Sequence, residues 1–422
     1  MPRRWFLRFA SPLAVLALAV LACCAPATVP APFPGSQSPY YGYGRFPPPP
    51  PVPAGPSSPA APPAAGPEKV ALLLPLSGAN AELGQAILDA AQLALFEAGG
   101  DRLVLMPRDT GGNAAGAASA AHGVVGEGVR LILGPLLAPE VEAVKPIARD
   151  AHINVIAFST VTSLAGGNVY LMGFLPRQEV TREVGFARER GLDRFAALAP
   201  NSPYGHLMAD ALQEVASASG GRVIKVEFYD PRAGDASAAI QRLFPEGAAE
   251  ASAAPPSAAS SPAPFGALLL PEGGAKLGQI AGQVKAAAGD ARPVQLLGSG
   301  LWDTPDIGSD PALVGGWFAS SPPEARQDFE HRFTATYGHS PPRLASLGYD
   351  AAALAAVLAR GPGSEAFSQQ AILNPSGFTG VDGLFRFAPN GLVQRALAVL
   401  EVTPQGTIVV SPAPQSFQDL GY

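Results

Sequence analysis

Cysteine is nearly absent from this sequence: of 422 residues only Cys23 and Cys24 carry a thiol, side by side near the amino terminus. The body that follows can form no disulfide, so it must hold together by burial of apolar surface. No thiol remains there as a nucleophile or as a zinc ligand. Histidine is also scarce. His122, His152, His206, His331 and His339 lie in different stretches, with no i, i+4 pair and no HExxH. Charge is thin: Asp, Glu, Lys and Arg make up 15% of the chain, the net charge is −6, and the 28 basic residues are scattered. That distribution excludes a nucleic-acid-binding surface. No glycine-rich stretch has P-loop or dinucleotide spacing, and Gly298-Ser299-Gly300 lacks the flanks of a nucleophile elbow. These absences point to no cofactor, no metal site and no enzyme. Beyond residue 22 no apolar run approaches the length needed to cross a membrane.

What is present begins with Arg3, Arg4 and Arg8, followed by the unbroken apolar run Leu13 to Ala22. That run is shorter than the roughly 20 residues a bilayer core requires, and it has the dimensions of a signal-peptide core. Val20-Leu21-Ala22-Cys23 resembles the bacterial lipobox, with Leu21 where a small residue is commoner. The resemblance implies a lipoprotein signal peptide over residues 1–22, cleavage before Cys23, and acylation of Cys23 by several chains. Several chains anchor stably where one is marginal. Cys24, rather than an aspartate, follows the acylated residue, which favours the outer over the inner membrane of a Gram-negative-type bacterium. Residues 23–67 are dominated by Pro, Ala, Ser and Gly, with Pro47 to Pro51 uninterrupted. They read as a disordered tether that, at about 3.1 Å per residue, reaches on the order of 100 Å. Residues 247–264 are Ala, Ser and Pro with one acid, a disordered insertion in a connection rather than a domain boundary.

From Lys69 onward, short apolar runs alternate with amphipathic stretches. Strands are expected at 70–75, 103–106, 129–133, 154–158, 195–199, 222–229 and 265–270, with helices between them. Fully apolar strands alternating with helices indicate mainly parallel sheets flanked by helices, and the length calls for two lobes. In such sheets ligands bind beyond the carboxyl ends of the strands. Those ends carry Ser77-Gly78, Asp109-Thr110, Gly134-Pro135, Ser159-Thr160, Asn201 to Gly205, Pro271 to Gly273 and Gly298 to Trp302. Asp109 and Asp350 read as helix caps, and Trp302 and Trp317 as packing residues.

Ile132-Leu-Gly-Pro135, Val155-Ile-Ala-Phe-Ser159, Asn201-Ser-Pro-Tyr-Gly205, Gly348-Tyr-Asp-Ala351 and Gly380 to Phe387 followed by Pro389-Asn-Gly391 occur in a telling order. With the Val70 to Gly78 opening, the chain resembles the type I periplasmic solute-binding proteins, the leucine/isoleucine/valine-binding kind. The resemblance implies three interlobe crossovers, near Phe174, Ala319 and Arg386. Lobe 1 would be 69–174 plus 319–385, and lobe 2 would be 175–318 plus 386–422. It also implies a cleft site. The candidates are Ser77, Ala138, Ser159, Thr160, Thr162, Tyr204 and Glu272. Several departures stand out. The family's first-loop aromatic falls on Leu83, the serine that meets a ligand carboxylate falls near Ala138, and the tyrosine and acid that grip an amino group fall near Gly273 and Gly300. Glu272 adjoins the first of these two glycines and could substitute.

Gly134-Pro-Leu136, Ala157-Phe-Ser159 and Ala199-Pro-Asn-Ser-Pro-Tyr-Gly205 further resemble the penicillin-binding protein activators, a lipoprotein subfamily of this fold. That resemblance implies a lipid-anchored regulator whose partner is a peptidoglycan synthase. The alternative is the substrate-binding lipoprotein of an ABC importer, with a permease as partner and a small solute in the cleft.

Overall fold

The computed structural model describes residues 66–98, 102–232, 235–244, 264–289 and 293–418. The signal peptide, Cys23, the Pro-rich stretch through residue 65 and residues 247–263 lie outside them.

Val70 to Leu74 has no polar side chain, so the strand that contains it needs cover on both faces. It is β1 (Glu68–Leu74), inside a five-stranded parallel sheet with β2 (Leu103–Asp109), β3 (Leu131–Leu133), β4 (Asn154–Ala157) and β5 (Val169–Leu171), in the order β2-β1-β3-β4-β5. Alternate β1 side chains serve opposite cores. Val70, Leu72 and Leu74 pack with α1 (Ala81–Ala98), while Ala71 and Leu73 pack with α2 (Ala114–Gly126) and α3 (Ala138–Asp150).

After β5 the chain leaves this sheet at Met172–Pro176 and builds a second one. Five parallel strands come first: β6 (Arg194–Pro200), β7 (Arg222–Tyr229), β8 (Ala267–Leu269), β9 (Gln295–Leu297) and β10 (Trp317–Ser320). Helices α4 (Pro176–Glu189) and α5 (Pro203–Ala218) cover one face, and α6 (Ser237–Leu243) and α7 (Ala275–Ala288) the other. Past β10 the chain returns to the first lobe with α8 (Pro323–Tyr337), which packs on α1, and α9 (Ala345–Leu358), which joins the core of β1. A Cβ on Gly348 would lie 2.2 Å from the Ile87 carbonyl, so glycine sets how closely α1 and α9 approach.

The short helix α10 (Gln369–Ile372) leads into an antiparallel meander, β11 (Phe378–Gly380), β12 (Gly383–Phe387) and β13 (Val393–Arg395). Phe385, Phe387 and Val393 are buried in the same core as Leu72 and Tyr170. The chain therefore crosses for the third time after Arg395, later than the Arg386 expected from sequence. It ends as β14 (Ala398–Thr403) and β15 (Gly406–Ser411), antiparallel additions to the second sheet, whose order is β15-β14-β10-β9-β8-β6-β7. The fold is mixed α/β, with parallel sheets flanked by helices in two lobes. Among the described residues, no helix is long and apolar enough to cross a membrane.

Two smaller expectations need correction. Asp350 is not a helix cap. It is buried inside α9 and accepts the N–H of Val381 at 2.7 Å, holding the β11–β12 turn. Asp109 is not one either, because its carboxylate accepts the N–H groups of Leu76 (2.9 Å), Ser77 (3.2 Å) and Gly111 (2.8 Å) and ties two loops together. Trp302 and Trp317 do pack, their ring N–H groups donating to the Leu270 carbonyl (3.2 Å) and the Glu401 carboxylate (3.0 Å).

Candidate functional site

Between the lobes lies a cavity of about 630 Å³, lined from both sides. The first lobe contributes Leu83, the Leu136–Ala138 loop after β3, the Phe158–Val161 loop after β4, and Arg343 and Leu344 ahead of α9. The second contributes Pro176 and Glu179 at the start of α4, Tyr204 on α5, and Gly300, Leu301 and Asp303 after β9. These are carboxyl ends of strands and the segments that follow them, as expected for parallel sheets.

The sequence candidates divide. Ala138, Ser159, Thr160 and Tyr204 line the cavity together. Ser159 is buried, and its hydroxyl accepts the Val161 N–H at 3.2 Å. Thr162 borders a separate concavity of about 790 Å³, which Thr160 also touches, over α4, α5 and the turn before β13. Ser77 sits exposed in the loop after β1, where its hydrogen bonds with Asp109 hold that carboxyl below the usual range. Glu272 accepts the Tyr229 hydroxyl and the Gly273 N–H (3.0 Å) and does not line the interlobe cavity.

Glu179, Arg343 and Asp303 were not expected from sequence. Glu179 and Glu183 lie four residues apart on α4, on the face that also buries Val180 and Val184. Acids recurring on an apolar face are the signal that could have revealed them. The Glu179 carboxylate accepts the Gly300 N–H at 3.0 Å. Burial pushes its pKa up to about 7, against the opposing pull of that bond and of Arg343. A Cβ on Gly300 would come within 2.8 Å of the same carboxylate, so glycine lets the acid lie flat against the backbone. Glu183, one turn behind, accepts the Ala319 N–H at 2.8 Å, and burial raises its pKa well above the usual carboxylate range. Burial, and then the nearby Glu179, push the Tyr204 hydroxyl upward.

The cavity floor is a charge network at the crossings. The Arg343 guanidinium stacks on Phe174, 4.0 Å from the ring centroid, and pairs with the fully buried Asp382 at 2.8 Å. Asp303 is gripped by Arg326 through both carboxylate oxygens, one contact at 2.7 Å. Arg395, itself buried, lies over the Phe174 ring at 4.8 Å and donates to the Met172 carbonyl at 2.8 Å. Burial, reinforced by Asp382, pushes the Asp350 carboxyl above the usual carboxylate range. These groups fasten the first and third crossings to one another.

The amino end of α3 also borders the cavity, through Leu137 and Ala138. Its Leu137 N–H is taken by the chain's own Glu140 at 3.1 Å, and the buried Glu140 accepts the Thr110 hydroxyl at 2.5 Å.

This arrangement is that of a two-lobed binding protein with its cleft at the hinge. The model of the periplasmic binding protein family matches residues 67–407, and the chain belongs to that family. Membership implies a periplasmic location. Three solved structures share the fold. An ABC transporter substrate-binding protein from Sphaerobacter thermophilus is 22% identical, with 83% of this chain and 98% of that one covered and a TM-score of 0.66. The isoleucine complex of LivJ, the branched-chain amino acid transporter substrate binding protein of Streptococcus pneumoniae, is 19% identical (82% and 100% covered, TM-score 0.58). A solute binding protein from R. palustris in complex with benzoate is 19% identical (83% and 97% covered, TM-score 0.58). By their names these are solute- or substrate-binding proteins of transporters. Among curated sequences, the uncharacterized protein RP748 of Rickettsia prowazekii is 23% identical over 162 residues, which span 38% of this chain and 43% of that protein.

Proposed function

We propose that this chain is a lipid-anchored receptor of the periplasm that captures a small amphipathic molecule between its lobes, with Cys23 as the anchored residue and the outer membrane its site. The observation that carries this reading is the cavity: apolar walls from both lobes enclose a few convergent polar groups, Glu179, Tyr204, Ser159 and Thr160 among them. Hinge motion at the three crossings closes the lobes on the ligand. The receiver of the closed form is an ABC permease.

A second reading has a specific observation in its favour. The three stretches that resemble penicillin-binding protein activators supply Leu136, Phe158, Ser159 and Tyr204 to the cavity wall. On that reading the occupied cleft regulates a peptidoglycan synthase, and the Pro-rich tether spans the distance to it.

Thermal denaturation of the mature protein, with and without the small-molecule fraction of an envelope extract, tests the receptor. A ligand at 100 times its dissociation constant adds about 2.7 kcal/mol, so a clear upward shift is expected. No shift with any fraction would contradict the reading. Capture from solubilised membranes then separates the partners: permease recovery supports import, and recovery of a peptidoglycan synthase supports regulation.

A further inference from the structure

The charges around the cavity are not balanced by the protein itself. We propose that the ligand is an amphipathic amine with no carboxylate at its polar end, its ammonium group held by Glu179. This inference rests on the cavity being a ligand site and specifies what enters it.

Glu179 is the first support. It is 8% exposed, lines the cavity, and among the described residues has one hydrogen-bond partner, the Gly300 N–H, and no salt bridge. The guanidinium groups nearby are committed elsewhere, Arg343 to Asp382 at 2.8 Å and Arg326 to Asp303 at 2.7 Å. The titratable and charged groups facing Glu179 are Glu183 on its own helix, Tyr204 on α5, Asp303 after β9 and Arg343 ahead of α9. Two of these four are acids and one is a phenol, so the surroundings lack a cation free to pair with it. A buried carboxylate left in that state gains most from a charged donor.

The opposite wall is the second support. A helix amino end normally attracts anions, and α3 presents one to the cavity. Here the helix's own Glu140 lies at that end and accepts the N–H of the capping residue Leu137 at 3.1 Å. A ligand carboxylate approaching that end would have the Glu140 carboxyl one turn behind it, and Ala138 offers it no hydroxyl. A free amino acid therefore finds an uncompensated acid for its ammonium group, whereas the guanidinium that lines the cavity, Arg343, is already paired with Asp382. The remaining wall, with Leu83, Phe158, Leu301 and Leu344, suits an apolar body.

Titration calorimetry on the full mature chain tests this with phenylbutylamine, phenylbutanoate and leucine at about pH 6 and about pH 8. The amine stays cationic at both values, while an acid that titrates at about 7 gains charge between them. Its affinity is expected to rise about tenfold with pH, with phenylbutanoate and leucine binding far more weakly. Glu179→Gln should abolish both the tight binding and its pH dependence, while its melting curve shows the fold is kept. Phenylbutanoate or leucine binding as tightly as the amine would overturn the inference and leave the receptor reading standing. Amine binding unchanged by Glu179→Gln would also overturn it. If no probe binds and no extract fraction stabilises the chain, the receptor reading falls as well.

Discussion

Glu179 illustrates how one side chain links stability to function. Its pKa moves from an ordinary 4.5 to about 7, and that of Asp350 is also raised, in both cases because burial disfavours the charged form. Each acid therefore holds its proton more tightly folded than unfolded. The stability they contribute is fully present below about pH 4 and is lost as pH rises through about 7. The ligand-free protein should thus melt at lower temperature at neutral than at mildly acid pH, and Glu179→Gln should flatten that dependence. An identical pH profile in the variant would contradict the assigned burial. At this scale the sequence was half legible. Ser159, Thr160 and Tyr204 could be placed because they follow strands, and strand ends in parallel sheets face a cleft. Glu179 was hidden because it belongs to a helix rather than to a strand end, and only the packing of α4 against β10 and the Gly300 turn turns it inward. Glu272 looked like a substitute acid by its neighbourhood in sequence. In the fold the Tyr229 hydroxyl claims it.

Secondary-structure elements were more legible than the side chains between them. The run Val70 to Leu74 could only be a doubly covered strand, and the apolar runs at 103–106 and 195–199 place β2 and β6 to within a few residues. Short pieces escaped. β5 has only three residues, and within Gly380 to Phe387 the chain turns between β11 and β12, where Asp350 ties down Val381 and Asp382. The α1–α9 contact gives a prediction at this scale. Gly348→Val would drive a side chain into the Ile87 carbonyl, and overpacking of that kind costs about 1–3 kcal/mol. Urea denaturation should show the loss as a lower midpoint with an unchanged slope. A variant as stable as the parent would mean that α1 and α9 can separate without penalty, and that the first lobe is less tightly specified than the contact implies.

At the scale of the whole molecule, two sheets, three crossings and a charge network at the hinge combine into a device that can close on a ligand. The Arg343 and Arg395 guanidinium groups both lie against the Phe174 ring, and Arg343 also reaches Ser321 at the second crossing, so the first crossing is tied to the second and third. The two-lobed architecture was readable from alternating strands and helices. The position of the third crossing was not, because Phe387 and Val393 carry no mark of which core they will join. The central claim, that the interlobe cavity holds a small molecule, is tested most directly by denaturing the protein purified from its own envelope and identifying by mass spectrometry what it releases. One stoichiometric species, an amphipathic amine, is expected, and it should disappear when Leu344→Trp fills the cavity. Release of nothing, or equal release from the filled variant, would contradict that claim.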